Sequence, residues 1–455
     1  MKWQPQGKRP DIGIWIELPP GSRWANEGMV RLIGFMIEGA ARYTGPRFHL
    51  MVPHGLDDVV RADMRTLKAT EHTDWVVHAP PTLADPTIHR NRYTRKAARL
   101  ILQAEDMLQG GWLERMVAYA NEHVLVDGWI VLHPFFRGAE RLKAPRAVVF
   151  PDAIPLVFPS TSVQSWSDGG SDLMWRDNVR AALGKAPLII TFSKHVANYE
   201  LPHVLGIKEA KIRVIPHAPP DVSDQLTFVN PQDPRATGNT RRLAAEMLRA
   251  QARKSSWAYL IDFAFEDAKY VVISTQDRAT KNIGLAAEAI AYLLREQQVD
   301  IKLITTAHLL FGATWTTLPA IIEAQQLQFD IVSTPDLPRP EHAALYHGAQ
   351  LVIHPSFFEG GHGPFPFYEA LSVGCPCLMA RGPHTEELVA GEPELERYLF
   401  DPYDSRGLAN LISATLMERD NVLDHQLGIL KRLKERSWAD VAIAYGEAAQ
   451  AGAPS

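Results

Sequence analysis

Short, unbroken apolar runs rich in β-branched and aromatic residues recur along the first half of the chain: IGIWIEL (12–18), FHLMVP (48–53), DGWIVLHP (127–134), RAVVFPD (146–152), PLIITFS (187–193) and IRVIPHA (212–218). A second series follows: KYVVIST (269–275), IKLITTA (301–307), FDIVST (329–334), AQLVIHPS (349–356) and CPCLMAR (375–381). Helical periodicity alternates with them, as in NIGLAAEAIAYLLRE (282–296) and PEHAALYHGA (340–349). Strands covered on both faces need apolar side chains at every position, so this alternation predicts parallel sheets flanked by helices. Two series predict two doubly wound α/β domains, 1–222 and 223–436, with a C-terminal helix at about 437–455 expected to pack back on the first. Residues 219–256 change composition, from PPD, NPQDP and ATGNT to the polar helical stretch RRLAAEMLRAQARKSS, and read as a linker region. Doubly wound domains bind ligands beyond the carboxyl ends of their strands, so a cleft between two of them is the expected binding place.

Composition narrows the function classes. The 455 residues are 46% hydrophobic and 22% charged, enough for large cores, and a net charge of −5 carries no nucleic-acid signature. Cys375 and Cys377 stand too close for an unstrained disulfide and have no second pair for zinc, so they read as buried small apolar residues. MKWQPQGKRPD lacks the apolar core of a signal peptide, and no run approaches the roughly 20 apolar residues of a membrane span, which points to a cytoplasmic protein.

The densest chemistry lies in HPSFFEGGHGPFPFYEAL. VIHPS reads as a strand running out at its carboxyl end, and FFEGGHG as a loop in which Gly360, Gly361 and Gly363 permit backbone conformations that other residues avoid. The helix that follows is expected to begin near Pro366, a tolerated first-turn position. A glycine loop entering a helix presents free N–H groups and partial positive charge, which is an anion site. Glu359 at the loop and Glu369 one turn into the helix would accept hydrogen bonds from neutral hydroxyls. An anion site with hydroxyl acceptors on each side describes a nucleotide-sugar. The plain alternative is a capping loop whose glutamate answers the helix dipole.

This stretch resembles the signature of glycosyltransferase family 4, retaining GT-B enzymes with two Rossmann-like domains. The family typically shows a strand ending in PS, then E-G-F-G-L-P-x-x-E-A with seven residues between its glutamates; here nine separate Glu359 from Glu369. The resemblance extends in order from about residue 127 to 445, through VVFPDAIPLVFP, ITFSKHVANYELPHVLGIKEAKIRVIPHAPPD, DLPRPEHAALYHGAQ, GCPCLMARGPHTEELV and LFDPYDSRGLANLI. It implies a metal-independent hexosyltransferase that needs no cofactor and takes a GDP- or UDP-sugar as co-substrate. It further implies that Glu359, with the amides of Gly360, Gly361, His362 and Gly363, holds the donor sugar, and that Glu369 binds the ribose. In VVISTQDRATKNIG, Lys281 matches the family's lysine against the donor diphosphate. Gln276 stands where the arginine is usual, and Arg278 is the nearby substitute. Asp152 matches the family aspartate at a strand end of the first domain, with Pro151 replacing the adjacent histidine. Retention in the family is attributed to same-face attack, with the leaving phosphate taking the acceptor's proton.

Other features are weaker. Asn26 and Gly28 loosely resemble the family's first glycine loop. Arg90, Arg92, Arg95, Lys96 and Arg99 form a basic stretch without an acid, a peripheral contact with an anionic inner-membrane surface or a solvated helix face. Trp166 and Trp175 flank a loop that could meet an acceptor or be core residues, and His133, His195 and His217 lie near strand ends. The acceptor expected from the resemblance is a glycan or lipid-linked saccharide in bacterial polysaccharide synthesis, with mannose the first guess for the sugar. Two other readings stay open: a GT-B protein that binds nucleotide-sugar or a partner without turnover, and a nucleotide-sugar epimerase.

Overall fold

The computed structural model describes residues 9–18, 24, 28–42, 45–65, 75–81, 97, 111–158, 172–208, 211–309, 318–361 and 363–452. The chain divides into two compact units: 1–153 with 173–218 and 436–455, and 154–172 with 219–435. Each is a doubly wound α/β structure.

The first unit is built on seven parallel strands: β1 (Asp11–Trp15), β2 (Arg47–Met51), β3 (Trp75–His78), β4 (Gly128–Val131), β5 (Arg146–Val149), β6 (Leu188–Thr191) and β7 (Ile212–Val214). They lie in the order β3-β2-β1-β4-β5-β6-β7. The apolar runs supply six of them. The edge strand β3 was not expected: WVVH is only four residues long and half-buried, so it lacks the unbroken apolar signature. At the centre, the Trp15 and Trp129 rings meet edge-on at 5.8 Å. Gly13 makes room for that contact, since a Cβ there would lie 2.2 Å from the Trp129 ring.

The helix Trp438–Ala451 belongs to this unit. Ser437 and Asp440 cap it reciprocally, the Ser437 Oγ accepting from the Asp440 N–H while the Asp440 carboxylate accepts from the Ser437 N–H. It packs against the helix Gly28–Arg42, where Trp438 stacks on Phe35 at 4.8 Å, and it lies along β4, β5 and β6. His217 bonds Tyr445 Oη through Nε2 at 3.2 Å and its ring lies tilted against Phe192 at 4.0 Å, so it is a packed histidine. Trp175 is buried edge-on against Phe135, a core position rather than an acceptor platform.

The second unit carries six parallel strands: β8 (Tyr270–Ile273), β9 (Lys302–Thr305), β10 (Ile331–Ser333), β11 (Leu351–His354), β12 (Cys377–Ala380) and β13 (Leu399–Phe400), in the order β10-β9-β8-β11-β12-β13. β13 was not read as a strand, because two residues give no periodicity. Cys375 and Cys377 are free and buried. The stretch read as a linker forms the helix Gly238–Lys254, which buries Ala244, Ala245, Leu248 and Ala252 against the helix Arg339–Gly348 and so is part of this unit's core. Its charged residues remain partly or fully exposed, which is why the composition alone suggested a linker. Among the described residues no helix is long and apolar enough to cross a membrane. The basic stretch from Arg90 to Arg99, together with Asn26 and Trp166, lies outside the described residues.

Candidate active site

The strand order of the second unit reverses between β8 and β11. Loops leaving the two strands on either side of such a reversal diverge to opposite faces of the sheet and leave a crevice at the carboxyl ends. The loop after β8 runs through Gln276 and Arg278 into a short helical turn, Ala279–Lys281, and Asn282 in the left-handed region then turns the chain into the helix Ile283–Arg295. The loop after β11 runs from Pro355 to Pro364 and enters the helix Phe365–Ser372. The Phe357 N–H donates to the Thr280 carbonyl at 3.0 Å and ties the two loops together.

Lys281 and Glu359 meet here. Lys281 Nζ lies 2.5 Å from Glu359 Oε1, with both side chains largely but not fully buried. Burial by itself would raise the Glu359 pKa; the Lys281 ammonium, then His354 and His384, more than reverse it and hold the carboxyl at about 2. His354, the last residue of β11, places Nε2 3.5 Å from the same oxygen. His384, in the first turn of the helix Pro383–Gly391, meets His354 edge-on at 5.6 Å. Burial keeps both imidazoles neutral, lowering His354 to about 4 and His384 to about 3.

The glycine loop is less uniform than the sequence suggested. Among the described residues of this loop only Gly363 takes a positive φ, +78°, and a Cβ there would also lie 2.4 Å from Tyr368 Oη. A Cβ on Gly361 would meet nothing closer than 3.7 Å, so Gly360 and Gly361 do not use the left-handed freedom expected of them. The Gly363 N–H donates to the His384 carbonyl at 3.2 Å, which anchors the loop to the segment after β12. His362 lies outside the described residues.

The helix begins at Phe365, with Pro364 as its N-cap and Pro366 in its first turn. Glu369 is in the second turn and is only 1% exposed. Arg278 is exposed. The FDPYD segment has a structural account: Asp404 Oδ1 accepts from the Gly407 N–H at 2.8 Å and caps the helix Ser405–Met417.

Asp152 and Gly28 belong to the first unit. Gly28 opens the helix Gly28–Arg42. Asp152 follows β5 and lies near Glu200, a fully buried residue of the π-type helix Val196–Val204. Glu200 Oε2 accepts from the Ala153 N–H at 2.6 Å, and His195 Nε2 is 3.6 Å from Oε1. Burial, reinforced by Asp152, pushes the Glu200 carboxyl up to about 8. At this unit's own strand reversal, between β1 and β4, Glu17 accepts from the Gly138 N–H at 2.7 Å and the Trp15 indole at 2.9 Å, and burial raises its pKa.

The sequence reading did not single out Glu17, Glu200, His354 or His384, which the structure places at strand reversals or beside its candidate residues. His354 stood in the quoted motif, at a strand end five residues before Glu359, which is a usable signal. Nothing in the local sequence of His384 marked it, because its neighbours come from other strands.

Residues 261–428, all within the second unit, match the family model described as glycosyl transferases group 1. A search of curated protein sequences found no match. The fold is similar to sucrose-phosphate synthase from Thermosynechococcus elongatus, at 14% identity over 96% of this chain and 98% of that one, with a TM-score of 0.63. Anabaena HepE in complex with UDP-glucose aligns at 15% identity over 96% and 98%, with a TM-score of 0.61. The α,α-trehalose 6-phosphate synthase of Burkholderia multivorans aligns at 13% over 97% and 98%, with a TM-score of 0.54. At such identities the likeness is one of fold: two Rossmann-like units in one chain, the GT-B class.

Proposed function

We propose that this protein is a glycosyltransferase that moves a hexose from a nucleotide-sugar to a saccharide or lipid-linked acceptor, and that the crevice between β8 and β11 holds the donor. The observation that carries the reading is the meeting of Lys281 and Glu359 at the strand reversal, beside a loop whose left-handed Gly363 leads into a helix N-terminus.

Each residue has a role that its chemistry suits. The bond to the anomeric carbon breaks with both electrons leaving on the diphosphate, and Lys281 stabilises the added charge. Glu359 stays ionised across the physiological range, so it accepts hydrogen bonds from sugar hydroxyls. The amides of Gly360 and Gly361 are offered to the donor as neutral hydrogen-bond donors, whereas the Gly363 N–H is already given to the His384 carbonyl and Pro364 and Pro366 carry no N–H. Arg278 is exposed within the same loop as Lys281 and can turn to the diphosphate as a second cation. Glu369 takes the ribose hydroxyls from the second turn of that helix. Asp152 of the first unit is taken as a catalytic residue on the strength of the motif resemblance. Retention of configuration by same-face attack, a mannosyl donor and a place in bacterial glycan synthesis are the finer parts of the proposal, supported by the motif resemblance. HepE, crystallised with UDP-glucose, supports a nucleotide-sugar as the donor class.

The test is incubation with UDP- and GDP-hexoses and an acceptor extract, following nucleoside diphosphate release and the product's anomeric configuration by NMR. Transfer with diphosphate release supports the proposal. An isomerised nucleotide-sugar without release marks an epimerase, and binding without either marks a binding protein. In the active protein, Glu369→Ala should weaken donor binding, and Lys281→Ala should slow transfer by roughly 100-fold while sugar recognition changes less. Unchanged turnover in both variants rejects the site assignment.

A further inference from the structure

The His384 side chain is only 1% exposed, yet neither ring nitrogen has a hydrogen-bond partner among the described residues. Two residues at the end of β11 and just after it share this condition among the described residues: Ser356 Oγ is fully buried without a partner, and His354 Nε2 has only its 3.5 Å approach to Glu359. A buried polar group left unpaired gives up its hydrogen bonds to water without return, so native proteins rarely keep one without a use. His354 joins the His384 ring to Glu359, Ser356 lies between His354 and Glu359 in the chain, and the His384 carbonyl anchors the same loop through the Gly363 N–H.

The chemistry of the missing partner follows from the charges. Lys281 and Glu359 neutralise one another, and both imidazoles are neutral. A neutral imidazole offers one N–H and one lone pair, and a serine hydroxyl likewise donates and accepts. A phosphate, which only accepts, would leave each lone pair facing negative charge. A neutral hydroxyl satisfies both functions of either group.

We infer that His384, assisted by Ser356 and His354, hydrogen-bonds a hydroxyl of the transferred sugar and so helps decide which hexose the protein accepts. The inference rests on the donor-site reading above and adds a sugar-binding residue to it. It assigns His384 to the sugar and not to the diphosphate, which is what makes it separable by experiment.

The test measures, by calorimetry, the affinities of UDP-glucose, UDP-galactose, GDP-mannose, UDP and GDP for the wild type and for His384→Phe, which keeps the ring and removes its nitrogens. The expected result is a loss of about tenfold or more for the nucleotide-sugar the wild type prefers, with the matching nucleoside diphosphate held within about twofold. His384→Asn, which returns an amide near Nδ1, should recover part of the loss. Equal nucleotide-sugar binding by His384→Phe and wild type overturns the inference and leaves the donor-site reading standing. A parallel loss for sugar and free diphosphate also overturns it, since His384 would then only hold the loop. A wild type that binds none of the five ligands removes the donor-site reading and the inference together. Should His384→Phe fail to fold, ¹⁵N-histidine spectra of the wild type make the same test. Ring signals that move with the nucleotide-sugar and stay with the nucleoside diphosphate support the inference; no difference between the two ligands overturns it.

Discussion

Lys281 and Glu359 stand 78 residues apart in sequence and 2.5 Å apart in the folded protein. The pair exists because β8 and β11 are neighbours in the sheet while β9 and β10 lie on the far side of β8. The two loops therefore rise side by side, and the charges they carry become each other's partners.

The pair should leave a mark in acid. The Glu359 carboxyl is held at about 2 in the folded protein against an ordinary value of 4.5, so its contribution to stability is complete above pH 4.5 and is lost as pH falls toward 2. Lys281→Met removes the main cause of that depression. Urea unfolding midpoints at pH 5, 4 and 3 should fall less steeply in the variant than in the wild type.

Between pH 6.5 and 4.5 the buried histidines should dominate instead. His384 is lowered to about 3, so below pH 6.5 the unfolded chain takes up a proton that the folded chain refuses, and stability drops with pH. His384→Phe should make the stability slope between pH 6 and 5 shallower by up to about 1.4 kcal/mol per pH unit. Urea titrations at both pH values measure it, independently of any ligand.

Gly363→Ala should destabilise the second unit. The backbone at φ +78° costs a side-chain-bearing residue about 1–2 kcal/mol, and the new Cβ would press on Tyr368 Oη at 2.4 Å. Adding Tyr368→Phe should relieve the contact and leave the conformational cost. A lower melting temperature for the single variant, partly restored in the double, is the expected result.

Two helical glycines should respond with opposite signs to the same change. In the helix Asp172–Lys185 a Cβ on Gly184 meets nothing within 4 Å, so Gly184→Ala should gain up to about 1 kcal/mol of helix propensity. In the helix Gly28–Arg42 a Cβ on Gly39 would lie 2.4 Å from the Trp438 carbonyl carbon, so Gly39→Ala should lower the melting temperature by separating the two helices. Calorimetric scans of both variants beside the wild type decide the signs.

Much of this was legible from local pattern. Runs such as KYVVIST and AQLVIHPS became β8 and β11, because a strand covered on both faces must be apolar throughout and that leaves an unbroken trace. WVVH and LF, which form β3 and β13, were too short to leave one. The glycine-rich motif marked Glu359 and the helix start, but it could not tell which glycine bends backward. Gly363 is packed against Tyr368, inside the motif, and Leu388, outside it, and the motif does not show that packing. Trp175 likewise looked the same as an exposed platform until its neighbour Phe135 was known.

By itself the sequence determined the character of the longer segments, strand or helix, acid or base, since periodicity and side-chain chemistry act over a few residues. The tertiary structure alone decided which of these pieces are neighbours. Strand order set Lys281 against Glu359, and the adjacency of β11 and β12 brought His354 to His384, whose nitrogens have no partner among the described residues. Electrostatic and hydrogen-bonding energies depend on distance through space, and a chain folded through parallel crossovers makes that distance unrelated to separation along the sequence.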